Sequence, residues 1–129
     1  MAWVDLVGVA ALIQLLLFSA LVGRARRDYA LPAPATAGHP MFERYYRVQM
    51  NTVETLIAFL PGLWLAAKYW PPHAVAAVGA VYLFGRVVYL RGYVRDPKGR
   101  HMGYVLSSVP TILLLLAALV GAIQSLNVP

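Results

Sequence analysis

Four apolar stretches, each near the length of a bilayer crossing, divide this chain, and three polar intervals separate them. They run from Trp3 to Gly23, from about Tyr45 to Trp70, from His73 to about Arg91 and from Tyr104 to about Leu126. A helix needs about 20 mainly apolar residues to cross the hydrocarbon core. The pattern therefore predicts an all-α integral membrane protein, a bundle of four transmembrane helices forming a single membrane domain over residues 1–129. The first stretch does not read as a cleaved signal. Asp5 stands where a basic segment belongs, and no small-residue cleavage site precedes the arginines.

The intervals differ in kind. In GRARRDYALPAPATAGHPMFE, Pro32, Pro34, Gly38 and Pro40 forbid a continuous helix, so a compact extended loop is expected. KYWPPH is a tight turn in which Pro71 and Pro72 end one helix and open the next. VRDPKGRHMG is short and basic. Pro61 and Pro110 lie inside spans and are expected to kink them, which neighbouring helices tolerate in a membrane. Trp3, Trp64, Tyr69 and Trp70 read as interfacial belt residues. Gln14 is expected to bond across helices.

Composition strengthens the membrane reading. The chain is 60% hydrophobic and 12% charged, where soluble domains carry about 25% charged residues. Cysteine is absent, which excludes disulfides, thiolate metal sites and cysteine nucleophiles. His39, His73 and His101 have no metal-ligand spacing, so no metal is expected. The net charge of +6 does not indicate nucleic acid, because of where the cations lie. Ten of the 11 lysines and arginines fall at or near the first and third intervals, with Lys68 alone by the second. The positive-inside rule then puts both termini on the non-cytoplasmic side and loops one and three in the cytoplasm.

Some polar residues lie too deep for that explanation. Arg44, Arg47, Asn51 and Glu54 are spaced 3, 4 and 3 residues apart, a single helical stripe. Glu54 falls roughly 18 Å along a helix begun at Phe42. A charge at the centre of a span costs about 2.5–3.5 kcal/mol on insertion scales, so the stripe needs partners, a wet cleft or a ligand. On the third span Arg86, Tyr89 and Tyr93 share a face, Tyr82 extends it one turn deeper, and Arg100 follows seven residues after Tyr93. A purely structural reading pairs Glu54 with Arg86 or Arg47. The count favours a ligand: Arg26, Arg27, Arg47, Arg86 and Arg100 are available to one cytoplasmic-side cleft, and Glu54 is the sole deep anion. Excess guanidinium suits carboxylates bound in bidentate fashion. Glu54 and Asn51 add an affinity for ammonium or amide, so a small zwitterionic peptide fits.

With these residues in place, the chain resembles the MAPEG family, the membrane-associated proteins in eicosanoid and glutathione metabolism. FERYYRVQMNTVE carries E-R-x-x-R-x-x-x-N-x-x-E at Glu43, Arg44, Arg47, Asn51 and Glu54, and FGRVVYLRGYVRDPKGR carries R-x-x-Y-x-x-G-Y at Arg86, Tyr89, Gly92 and Tyr93. The resemblance implies a homotrimer with glutathione between neighbouring protomers near the cytoplasmic end. By position it assigns glutathione contacts to Arg26, Arg47, Gln49, Asn51, Glu54, Tyr89 and Tyr93, and Arg86 joins them as the guanidinium of the third-span stripe. It implies that Arg100 holds and activates the thiol and that Arg27 is a proton donor. Thr55 departs from the pattern, standing where a conjugating member has tyrosine.

The physics suits those roles. A thiol of pKa about 8.5 is lowered by a nearby cation. Arginine stays protonated, so its work is electrostatic rather than that of an ordinary base. The expected partners are glutathione, membrane lipid and a lipophilic electrophile, or a lipid hydroperoxide if peroxidase chemistry occurs. Two other classes compete with this enzyme. One is a non-catalytic lipid-binding scaffold of the same family, disfavoured because most contact positions are intact. The other is a four-helix multidrug transporter, which needs a membrane-embedded carboxylate in its first helix; Asp5 lies too near the end.

Overall fold

Helices begin and end where caps and prolines dictate, and here they outrun the apolar stretches. The computed structural model describes residues 1–127. It contains α1 (Ala2–Asp28), α2 (Pro40–Ala67), α3 (Pro72–Arg95) and α4 (His101–Leu126), with a 3-10 turn at Pro97–Arg100 leading into α4. All four helices are long and apolar enough to span a membrane, as an integral multi-pass protein requires.

The boundary differences have local causes. α2 starts at Pro40, ahead of the apolar stretch, because His39 caps it. The Met41 N–H donates to the His39 Nδ1 at 3.1 Å. Pro40 occupies the first helical position, where its locked φ suits the helix and its missing N–H is not needed. Glu43 lies in the first turn, near the positive end of the helix dipole. α1 continues to Asp28 and α3 to Arg95, each with arginine in its last turn, which the negative helix end favours. Hydropathy marks the greasy part of each span. The helix itself continues through the interface until something replaces its hydrogen bonds. α2 and α4 remain helical through Pro61 and Pro110.

α2 and α3 are the central pair, each packing on the other and on both α1 and α4. The main core joins all four helices through Val4, Ala11, Phe59, Leu63, Tyr82 and Leu114. A smaller cluster of Phe18, Val48 and Tyr89 and a third of Val22, Ala25 and Phe42 continue toward the first loop. Large apolar side chains also cover the outside: Leu16, Ile57 and Phe84 are all more than 60% exposed. That surface would be unfavourable in water and is matched to lipid.

Polar groups tie the helices together. The Gln14 amide of α1 donates to the Leu83 carbonyl of α3 at 3.0 Å, the cross-helix bond expected of it. The Trp64 indole donates to the Asp5 carboxylate at 2.9 Å, and the Trp70 indole to the Ala117 carbonyl at 2.7 Å. Arg44 reaches from the first turns of α2 to the C-terminus of α3, donating to the carbonyls of Val94 (2.9 Å) and Arg95 (3.3 Å). Helix C-termini leave such carbonyls without helical partners, so Arg44 caps α3.

The α3–α4 contact is the most extensive in the bundle, and two glycines permit its backbone approach. A Cβ at Gly103 would lie 2.3 Å from the Tyr89 Cα, and one at Gly85 would lie 2.6 Å from the Leu106 carbonyl carbon. Backbone cannot give way as a flexible side chain can. Gly103→Ala is therefore expected to lower stability by at least about 1–3 kcal/mol, the range for overpacking. Gly23→Ala meets nothing within 4 Å and should be neutral or stabilising by up to about 1 kcal/mol. Thermal unfolding in detergent checks both, and equal melting points for the two variants would refute this account of the α3–α4 crossing.

Candidate functional site

Arg86 lies at the centre of the polar system and is fully buried. Its Nε–H donates to the Ser107 hydroxyl of α4 at 2.9 Å. Its Nη1 donates to the Asn51 carbonyl oxygen at 2.8 Å and to the Thr52 hydroxyl at 3.3 Å, both on α2. The receiving hydroxyls pass hydrogen bonds on to backbone: Ser107 to the Gly103 carbonyl (2.7 Å) and Thr52 to that of Val48 (2.8 Å). The guanidinium carbon lies 4.3 Å from the Tyr89 ring centroid and 5.9 Å from that of Tyr82. Such faces attract cations. No carboxylate joins this network among the described residues. Arg86 is held by dipoles and ring faces from three helices.

Tyr82 belongs to the same buried system. It stacks on Phe59 at 3.7 Å between ring centroids. Its hydroxyl meets the Thr55 hydroxyl at 2.8 Å. Thr55 already donates to the Thr52 carbonyl at 3.0 Å, so Tyr82 is the donor in that pair. The smaller residue at position 55 thus leaves room for a phenol arriving from α3.

The outward side of α2 is different. Arg47 and Glu54 form an ion pair at 3.4 Å, with side chains 52% and 55% exposed. Glu54 lies about 21 Å along α2 from Pro40. Part of the structural pairing anticipated from the spacing is present, and it joins Glu54 to Arg47 rather than to Arg86. Asn51 bridges the two systems, its carbonyl oxygen turned inward to Arg86.

The remaining candidates divide. Tyr89 is buried, with Tyr93 beside it at 5.7 Å between ring centroids. Of the candidate arginines, Arg86 is the one seen against the Tyr89 ring, at 4.3 Å from its centroid. Gln49 is turned toward α1, where its amide donates to the Ser19 hydroxyl at 2.6 Å. Arg26 organises the first loop: its Nη1 donates to the carbonyls of Leu31 (3.2 Å) and Ala35 (2.7 Å), and its guanidinium lies 4.8 Å from the Phe42 ring centroid. Stacking of Tyr29 on His39 at 3.7 Å closes that loop. Arg27 is exposed and makes no side-chain hydrogen bond or ion pair among the described residues. Arg100 is exposed and donates to the Pro97 carbonyl at 3.2 Å. It borders an open recess of about 570 Å³ with Lys98, His101 and Tyr104.

Three polar residues escaped the sequence reading, Ser19, Thr52 and Ser107, and Thr55 was marked only as a departure from the family pattern, not as a partner for Tyr82. Ser19 and Ser107 are short hydroxyls in largely apolar surroundings, and Thr52 is overshadowed by Asn51 and Glu54 on either side. Gly103 and Ser107, one turn apart on α4, were the available sign that α4 presents a small, polar face to α3.

The sequence model of the MAPEG family matches residues 4–120. The chain is 42% identical over 125 residues to an uncharacterized protein of Synechocystis sp., covering 97% of this chain and 91% of that one. It is 40% identical over 103 residues to microsomal glutathione S-transferase 2 of Homo sapiens, covering 79% of this chain and 70% of that protein. It is 42% identical over 104 residues to leukotriene C4 synthase of Cavia porcellus, covering 81% and 69% respectively. A match of this extent, on a chain whose four helices are each able to cross a membrane, leaves one conclusion: the protein belongs to the MAPEG family.

Proposed function

We propose that this protein is a membrane glutathione transferase, working as a homotrimer, that joins the glutathione thiolate to lipophilic electrophiles. One observation carries the reading. Arg47 and Glu54 stand half exposed on the outer face of a membrane-spanning helix, beside an asparagine whose carbonyl is already engaged. Lipid cannot satisfy such a face. A second protomer covering it, with a zwitterionic peptide between, answers both the charge and the depth. The transferase and synthase relatives, at 40% and 42% identity, support the choice of glutathione as that peptide.

In this reading Arg47, Asn51 and Glu54 hold the polar ends of glutathione, and Tyr89 and Tyr93 lie alongside. Gln49 and Arg26 contribute by giving up their present contacts with Ser19 and the first loop. The thiol releases its proton to water, and the Arg100 guanidinium stabilises the resulting thiolate beside a low-dielectric wall. The sulfur then forms a bond to an electrophilic carbon while that carbon's leaving group departs. Where an epoxide opens instead, Arg27 stabilises the new oxyanion as it takes up a proton. The loops bearing Arg27 and Arg100 face the cytoplasm, which supplies the peptide, and the bilayer supplies the apolar substrate.

The test uses full-length protein in detergent with glutathione and 1-chloro-2,4-dinitrobenzene. The wild type should form the conjugate, releasing chloride, and should show thiolate absorbance when glutathione binds. Arg100→Ala should lower kcat by about 100-fold, as loss of one preorganised donor does, with the glutathione Kd little changed. An equal loss of binding would make Arg100 a carboxylate anchor instead. Absence of both binding and conjugation in the wild type would sink the enzyme in favour of a lipid-binding scaffold.

Tyr82 offers a contrasting outcome. Its hydroxyl is fully buried and committed to Thr55. Tyr82→Phe should lower stability by about 0.6–1 kcal/mol and leave the KM for glutathione unchanged. A raised KM would mean that this phenol reaches the ligand.

A further inference from the structure

We propose that Arg86 is a positioning residue: it holds the Asn51 carbonyl oxygen inward and thereby presents the Asn51 amide N–H groups outward, as donors to a carboxylate or peptide carbonyl of glutathione. This rests on the glutathione reading above and deepens it, since it gives the buried guanidinium a role without contact with the ligand.

Burial comes first. Arg86 has no exposed surface, and its neighbours from α2, α3 and α4 enclose it. A ligand approaching the outer face of α2 meets Arg47, Asn51 and Glu54 before it meets Arg86. Among the residues bonded to Arg86, Asn51 alone belongs to that outer stripe; Thr52 and Ser107 are themselves buried.

Hydrogen-bond polarity follows. A primary amide has an acceptor end and a donor end. The Arg86 Nη1 can only donate, so the 2.8 Å contact fixes the acceptor end of Asn51 toward the core. The donor end must then point away from Arg86. Without the guanidinium the amide is free to turn over and offer its carbonyl to an incoming carboxylate, which is repulsive.

The geometry of the guanidinium explains why arginine serves here. Its fork reaches Ser107 with Nε and two acceptors of α2 with Nη1, while Tyr89 packs against its carbon at 4.3 Å. Ser107 and Tyr89 thus hold the fork against α3 and α4, and the fork holds Asn51. A lysine has one nitrogen and no plane, so it cannot be braced on α4 while directing Asn51 on α2.

A double-mutant cycle on the full chain in detergent, read as the glutathione Kd by calorimetry, tests this. Asn51→Ala and Arg86→Gln should each weaken binding by about 10-fold, the scale of one hydrogen bond to a charged group. The double variant should bind no more weakly than Asn51→Ala alone, because Arg86 has nothing left to position. Factors that multiply, to about 100-fold, would overturn the proposal and show Arg86 acting on glutathione directly or through its charge. Asn51→Asp is the second arm and decides the matter if Arg86→Gln does not fold. It gives the buried guanidinium a carboxylate partner, so its melting temperature should equal or exceed that of the wild type. It should still bind glutathione at least about 10-fold more weakly, because an acceptor now faces the ligand. Wild-type affinity in Asn51→Asp would overturn the proposal. A wild-type protein that does not bind glutathione would sink both this inference and the function it rests on, whereas binding with a multiplicative cycle sinks this inference alone.

Discussion

A guanidinium buried in a membrane-spanning bundle, with no carboxylate among its partners, is the constraint around which these helices are arranged. Isolated, Arg86 would be among the most costly groups a span can carry. Its charge is accommodated by the Ser107 and Thr52 hydroxyls, the Asn51 carbonyl and two tyrosine faces. Those partners come from α2 and α4 as well as from α3 itself, so they converge on the charge only when three helices meet at one level, and the guanidinium's Nη2 stays buried without a hydrogen-bond partner among the described residues. The glycine crossings follow from this. Ser107 reaches Arg86 because α4 approaches α3 closely at Gly85–Leu106 and at Tyr89–Gly103.

The same requirement divides α2 into two faces. Val48, Thr52, Leu56 and Phe59 recur at helical spacing and are buried against the bundle. Arg47 and Glu54 occupy the other side, and Asn51 lies at the seam. A soluble helix of this pattern would simply turn its polar side to water. Here the polar side belongs to a membrane span, while the apolar residues of α1 and α4 make up much of the lipid-facing surface. The outward face of α2 thus conflicts with the bilayer, and membership of the MAPEG family gives that conflict a context.

Much of this was legible in the residues. Four long apolar runs specify four spans, because nothing else of that length and composition is stable in lipid. Spacing put Arg86, Tyr82, Tyr89 and Tyr93 on one face of α3, and the cation lies over two of those rings. Gln14, alone and polar in an apolar run, bonds across helices as expected. What spacing cannot give is the identity of the facing surface. A stripe states which residues share a side, not whether that side meets lipid, ligand or another helix. Arg86 and Arg47 look equivalent in sequence, yet one is fully buried and the other half exposed. Thr52 and Ser107 were invisible for a related reason: a helical hydroxyl can satisfy itself on the preceding turn, so it leaves no mark in the hydrophobic pattern until a partner is known. Arg26 was read as a ligand contact from its position, and the three-dimensional arrangement adds a second employment, the carbonyls of the loop that follows it.

The Arg47–Glu54 pair bears on how such a polar face coexists with membrane insertion. Two opposite charges seven residues apart stand two turns from each other on one side of the helix, close enough for long side chains to meet. In water a pair of this exposure contributes little, but as surrounding polarity falls the same contact strengthens steeply. The stripe therefore enters the bilayer region already neutralised. Under the proposed function, a zwitterion replaces this contact ion for ion: a carboxylate takes the place of Glu54 beside Arg47, and an ammonium takes the place of Arg47 beside Glu54. Each member of the pair keeps a partner of opposite sign during the exchange, and the second carboxylate of glutathione calls for a further cation. A simple monoanion would leave Glu54 unpaired and a simple cation would strand Arg47, so the pair by itself favours ligands carrying both signs. That preference is a property of α2 alone, and it holds whichever electrophile the bilayer delivers.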